Sequence, residues 1–111
     1  MNKTKVLVRS IDAKTSTKFV KVLVAIDLET KRTITIHWKA VSRNQRIMYV
    51  MLKEQLVKIN KAVMEFVVLK EYYLPSTKTP DKRVKHIDGY AIAVFTKDEK
   101  KEEKKKWLRK K

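Results

Sequence analysis

Two short stretches of the chain hold residue types that could do chemistry. In RTITIHWKA, residues 32–40, strict alternation puts Thr33, Thr35, His37 and Lys39 on one side of a strand and Ile34, Ile36, Trp38 and Ala40 on the other. Cations neutralise phosphates and release their condensed counterions, and hydroxyls orient on phosphate or sugar, so the polar side is suited to a polyanion. In VAIDLETK, residues 24–31, Asp27 and Glu29 stand two apart at a strand end. Paired carboxylates of that kind are what divalent-metal hydrolysis requires.

The polyanion reading extends to neighbouring segments. KTKVLVRSI, residues 3–11, places Lys5, Leu7 and Arg9 on one side, and KFVKVLVAIDLE, residues 18–29, is read as placing Phe19, Lys21, Leu23 and Ala25 beside them. The proline-containing PSTKTPDKR and the residues after it add Lys78, Lys82, Arg83 and Lys85. The expected nucleic-acid contacts are therefore Lys5, Arg9, Lys21, Thr33, Thr35, His37, Lys39, Lys78, Lys82, Arg83 and Lys85, with exposed apolar atoms lying against base or ribose. Tyr72 and Tyr73 point to opposite faces, so one should stand near the basic loop as a stacking platform, with Tyr90 as its cross-strand neighbour. A solvated sheet face is also rich in Lys, Arg and Thr. The charge bias decides between the two, because the formal charge is +16 and residues 1–46 alone carry 11 basic against 3 acidic side chains.

VAIDLETK resembles the first motif of DEDD-type exonucleases, in which a D-x-E pair binds two divalent metals, and Glu29-Thr30-Lys31 is similar to the E-x-K of restriction-type nucleases. The resemblance spans eight residues of 111. Two-metal hydrolysis needs further carboxylates, and Asp12, Asp81 and Asp88 stand in no companion motif. His37 and His86 have no partner at metal-ligand spacing, one glycine cannot build a phosphate loop, and the absence of cysteine removes thiolate chemistry. No catalytic residue, metal or cofactor is expected. A magnesium-dependent nuclease using Asp27 and Glu29 remains as a second alternative.

The elements that would position these residues follow from periodicity. Three strands form a meander whose inner face is read as Val6 and Val8, then Val20, Val22, Val24 and Ile26, then Ile34, Ile36 and Trp38. Ser42 and Gln45 make a capping box, and Met48, Leu52, Leu56, Ile59 and Val63 continue as a helical stripe that should cover the inner face. Asn60 suits the helix end. EFVVLKEYYL, residues 65–74, and VKHIDGYAIAVFTK, residues 84–97, read as strands, the latter with Gly89 at a bulge. The expected fold is α+β over residues 1–96: an antiparallel sheet of about five strands in the order β-β-β-α-β-β, one amphipathic helix on one face, and a basic open face.

Residues 97–111, KDEKKEEKKKWLRKK, read as a charged C-terminal helix or tail, with Thr96 and Glu99 repeating the capping pattern. It is a solvated helix, a basic arm or, through Trp107 and Leu108, a docking segment for a protein partner. No apolar run reaches membrane-spanning length and no signal-like segment follows Met1, so the expectation is a cytoplasmic protein without a membrane partner. Abundant Lys, Glu, Ile and Val with little Gly or Pro fits a thermophile, and sheet edges leave room for a homodimer. The expected function is non-enzymatic, low-specificity binding of DNA or RNA, single strands favoured. The alternative is a small docking or assembly subunit of a ribonucleoprotein, replication or viral complex.

Overall fold

The computed structural model describes residues 2–96. It contains β1 (Asn2–Ile11), β2 (Val20–Asp27), β3 (Thr33–Lys39), α1 (Arg43–Ile59), β4 (Ala62–Pro75) and β5 (Arg83–Phe95). The helix and the last two strands begin and end close to where periodicity and capping put them. Ser42 Oγ accepts from Gln45 N at 3.3 Å, and Asn60 ends α1 in the left-handed conformation at φ 62°. The expected charged tail, with Trp107 and Leu108, lies outside the described residues.

The open antiparallel sheet is not what forms. The strands close into a five-stranded barrel in the order β1-β2-β3-β5-β4, with β4 returning to β1 and β5 running parallel to β3. β4 lies beside β1 after a long connection, which makes β4-β1-β2-β3 a Greek key. Register shifts between Val8 and Ser10, Glu65 and Phe66, and Val68 and Lys70 interrupt the ladders. Such bulges add twist and bend, and closure pairs the edges that an open sheet would leave exposed.

The barrel also reverses the expected orientation of β2. Leu23 and Ala25 point inward, opposite Ile36 and Ile34, whereas Val20, Val22, Val24 and Ile26 lie on the outside with Lys39, His37, Thr35 and Thr33. Both sides of β2 are apolar, so alternation alone cannot orient it; pairing with the unambiguous β3 does. The position of α1 differs too. β3 ends where β4 begins, and α1 joins them across that end of the barrel, packing on β4 and β5 instead of covering a flat face.

Trp38, Phe66, Leu23, Ile34, Ile36, Leu52, Met64 and Ile87 are fully buried in the core. Each large side chain contributes about 1.5–3 kcal/mol on leaving water. Trp38 meets Phe66 and Tyr49 edge-on, with ring centroids 5.7 and 5.8 Å away. Its indole N–H donates to Gln45 Oε1, which also accepts from Ala91 N, while Gln45 Nε2 donates to Ala91 O. β5 pairs with β3 only as far as Gly89. Beyond it, the Gln45 amide supplies hydrogen bonds in place of a neighbouring strand.

Gly89 is required by close approach, since a Cβ there would stand 2.0 Å from the Val67 carbonyl oxygen. Backbone cannot yield as a flexible side chain would. Gly89→Ala is therefore expected to destabilise the protein by about 3 kcal/mol or to prevent folding, measured by denaturant unfolding; a loss below about 0.5 kcal/mol would show that the strands can separate there freely.

Candidate nucleic-acid interface

The outer wall of the barrel receives every second residue of β3, β5 and β4. Inward Ile34, Ile36 and Trp38 leave Thr33, Thr35, His37 and Lys39 outside; inward Ile87 leaves His86 and Asp88 outside. Tyr72 stands directly opposite His86 across the β4–β5 ladder. Three rings contributed by three strands thus meet above β5. Centroid separations are 5.4 Å for Tyr72 and His86, 5.1 Å for His86 and His37, and 6.1 Å for His37 and Tyr72, with interplanar angles of 17–23°.

The cluster is hydrogen-bonded as well as stacked. His37 Nε2 and His86 Nδ1 are 2.9 Å apart, and the Tyr72 hydroxyl donates to Asp88 Oδ1 at 3.1 Å. Lys70 Nζ stands 5.5 Å from the centre of the Tyr72 ring. Burial and the hydrogen bond to Asp88, reinforced by its negative charge, push the Tyr72 phenol pKa up. Burial and the neighbouring His37 push His86 below the usual imidazole value, opposed by Asp88. The imidazole contact needs at least one of its two facing nitrogens bare. Protonating both would set N–H against N–H.

Below the rings, at the barrel end opposite α1, lies a cleft of about 450 Å³ lined by Thr30, Arg32, Thr33, Ile34, Tyr73, Arg83 and Lys85. The β2–β3 turn and the base of the β4–β5 hairpin form its two walls. The turn is organised by Asp27, which is 5% exposed. Its Oδ1 accepts from Glu29 N at 2.9 Å and Thr30 N at 3.5 Å, its carbonyl accepts from Lys31 N, and Asp27 N donates to Arg32 O. Lys31 takes a left-handed φ of 64°, and the chain delivers Arg32 and Thr33 to the cleft.

Asp27 is consequently a turn organiser with its carboxylate engaged, while Glu29 is exposed. No group of three or more His, Cys, Asp or Glu residues is arranged to hold a metal ion among the described residues.

The expected contacts divide accordingly. Thr33, Thr35, His37 and Lys39 share the β3 wall, and Arg83 and Lys85 stand at the cleft. Lys78 and Lys82 are exposed in the β4–β5 loop, and Lys5 and Arg9 are exposed on β1. Lys21 is separated from them. It belongs to the inward-facing series of β2 at the α1 end, where Nζ donates to Thr17 O at 2.8 Å and lies 4.9 Å from the Tyr49 ring centre.

Arg32, Tyr73 and His86 were not among the expected contacts, although Tyr72 or Tyr73 was anticipated as a platform. Tyr90 is not the neighbour of either: it pairs with Val67, while Tyr72 meets His86 and Tyr73 meets Lys85. The signal missed in the sequence was the two isolated histidines, which become partners only through the parallel β3–β5 ladder.

No family model, curated protein or solved structure matches the chain. No helix among the described residues is long and apolar enough to cross a membrane.

Two outcomes test this geometry. Because the folded state depresses the His86 pKa, the unfolded chain takes up that proton more readily. The His86 contribution to stability is then complete above the unfolded value of about 6.5 and declines as pH falls toward the folded pKa. An imidazole NMR titration should give a His86 midpoint below 6.5; a midpoint at or above it would refute the assignment. Separately, Asp27→Asn keeps an acceptor for the turn amides and should change stability by less than about 1 kcal/mol, whereas Asp27→Leu strands them and should cost about 1–3 kcal/mol. Equal losses in thermal unfolding would remove the organising role from that oxygen.

Proposed function

We propose that the protein is a nucleic-acid-binding module that takes a single strand along the outer wall of β3, β5 and β4. The carrying observation is the His37–His86–Tyr72 ring cluster with Lys39 and Lys70 on the same wall. Ring faces accept any base by stacking, and surrounding cations follow the phosphates, a combination that favours exposed bases over duplex and is tolerant of sequence. Thr33 and Thr35 add hydroxyls for sugar or phosphate.

The architecture agrees with that chemistry. Five-stranded Greek-key barrels of the OB type carry oligonucleotides or oligosaccharides on the face of strands 2 and 3 and in the loops joining strands 1 to 2 and 4 to 5. Here that face holds Val22, Val24, Thr35 and His37, and the last loop holds Lys78 and Lys82. Architecture supplies analogy only, and the residues supply the case.

A second reading, a docking subunit in a larger assembly, is favoured by one observation. Ile47, Val50 and Val57 are 50%, 49% and 85% exposed on α1. Their 3- and 7-residue spacings, 47 to 50 and 50 to 57, place them near one another on a helix. That surface is away from the ring cluster, so the two activities are compatible.

Binding of a fluorescent oligonucleotide at several salt concentrations tests the main reading. About 6 phosphate contacts predict a log–log slope near −4 on single strands. Tyr72→Ala and His37→Ala should each weaken single-strand affinity by about 1–3 kcal/mol, with Lys21→Ala changing it less than twofold on the order of surface substitutions. A flat salt response, or a larger loss from Lys21→Ala than from Tyr72→Ala, would move the site off this wall.

A further inference from the structure

The cleft at the open end of the barrel has a different character from the wall above it. Its lining brings together Arg32, Arg83 and Lys85, hydroxyls from Thr30 and Thr33, and the ring of Tyr73, which is 56% exposed. The carboxylate paired with one of these cations is that of Glu71, 3.5 Å from Lys85 Nζ. Neither guanidinium is in an ion pair among the described residues. Three cations against one paired carboxylate leave the lining net positive, which favours an anion.

A phosphodiester in mid-strand offers a single negative charge on two free oxygens. A phosphate monoester carries close to two at neutral pH, with three acceptor oxygens. Planar guanidinium groups match those oxygens in pairs, so charge and donor geometry both favour the monoester. The volume is also appropriate, since small-molecule sites occupy about 300–1,000 Å³.

We propose that this cleft binds a phosphate monoester, with Arg32, Arg83 and Lys85 on the phosphate and Tyr73 against the attached sugar or base. Continuity with the wall identifies the source as the phosphorylated end of a strand: Thr33, part of the cleft lining, lies on the same outward series of β3 as Thr35 and His37, while Tyr73 and Lys85 turn away from the ring cluster into the cleft beside it. That identification of the end group rests on the nucleic-acid reading of the wall; the monoester chemistry does not. The buried Asp27 is then a positioning residue, since it holds the turn that presents Arg32.

The test compares short oligothymidylates ending in hydroxyl, 5′-phosphate or 3′-phosphate, together with thymidine, thymidine monophosphate and inorganic phosphate, on the full chain at pH 7.5. One phosphorylated end should bind about tenfold more tightly than the hydroxyl form. Arg32→Gln with Arg83→Gln, both in the cleft lining and on neither the ring cluster nor its wall, should remove that preference while leaving hydroxyl-ended binding within about twofold. Both arginines are exposed, and an unchanged melting temperature checks the fold of the variant.

Tyr73→Leu should lower affinity for thymidine monophosphate and leave that for inorganic phosphate unchanged. Equal binding of all three oligonucleotides would overturn the cleft proposal and leave the wall reading intact. Thymidine monophosphate shifting Tyr73 and Arg83 NMR signals with no oligonucleotide bound would sustain monoester recognition and refute the wall reading and the strand-end assignment. Failure of every probe would overturn both.

Discussion

The parallel ladder between β3 and β5 is the constraint on which both the core and the candidate site depend. Parallel strands cannot be joined by a tight turn, and here the connection consists of α1 and the whole of β4. Pairing Ile36 with Ile87 closes the barrel around buried apolar groups on the inside. The same ladder brings His37 and His86 within hydrogen-bonding distance on the outside. Since side chains alternate, one register serves both purposes, and a slip by one residue would turn Ile87 toward water as it buried a histidine. The core therefore enforces the geometry of the ring cluster.

Maintaining that register requires help where the ladder stops. Gly89 lets β5 approach β4 too closely for any side chain, and immediately beyond it the Gln45 amide engages Ala91 on both its donor and acceptor. Because Gln45 also receives the Trp38 indole N–H, one side chain ties the start of α1 to β3 and β5 together. The residue that sequence patterns assign to a capping box has its side chain committed to closing the barrel. Only the Ser42 half of the box forms as expected.

Much of this molecule was readable locally. β3 alternates cleanly, α1 carries a cap, a stripe and a terminal asparagine, and each emerged where those signals put it, except that Val63, read as the end of the stripe, belongs to β4. What could not be read was long-range. β2 is apolar on both sides, so its inward face depends on a partner and not on its own pattern, which is why Lys21 was assigned to the wrong surface. Barrel closure and the parallel pair depend on contacts between residues far apart in sequence, 49 positions for His37 and His86. Thus Thr33, Thr35, His37 and Lys39 were correctly grouped as one face, while His86 was missed as their companion and Arg32 as part of the adjoining cleft. The acids of VAIDLETK do flank a turn, but Asp27 is buried there, satisfying the amides of its own turn, and only Glu29 is surface charge.

Total charge is a poor guide to where a polyanion would lie, and the distribution of cations in the barrel shows why. At the α1 end, Lys21 and Lys53 are directed at the Tyr49 ring from 4.9 and 4.7 Å, and Lys21 additionally donates to a backbone carbonyl. Using those ammonium groups on phosphate would first require breaking these contacts. At the opposite end, Arg32 and Arg83 border a cleft, beside hydroxyls and an exposed ring. Guanidinium is less strongly hydrated than ammonium and presents donors in a fixed plane, so it exchanges water for phosphate at lower cost. On the proposed function, availability of a cation, more than its number, would set the path of a bound strand, which runs from the ring cluster toward the open end of the barrel.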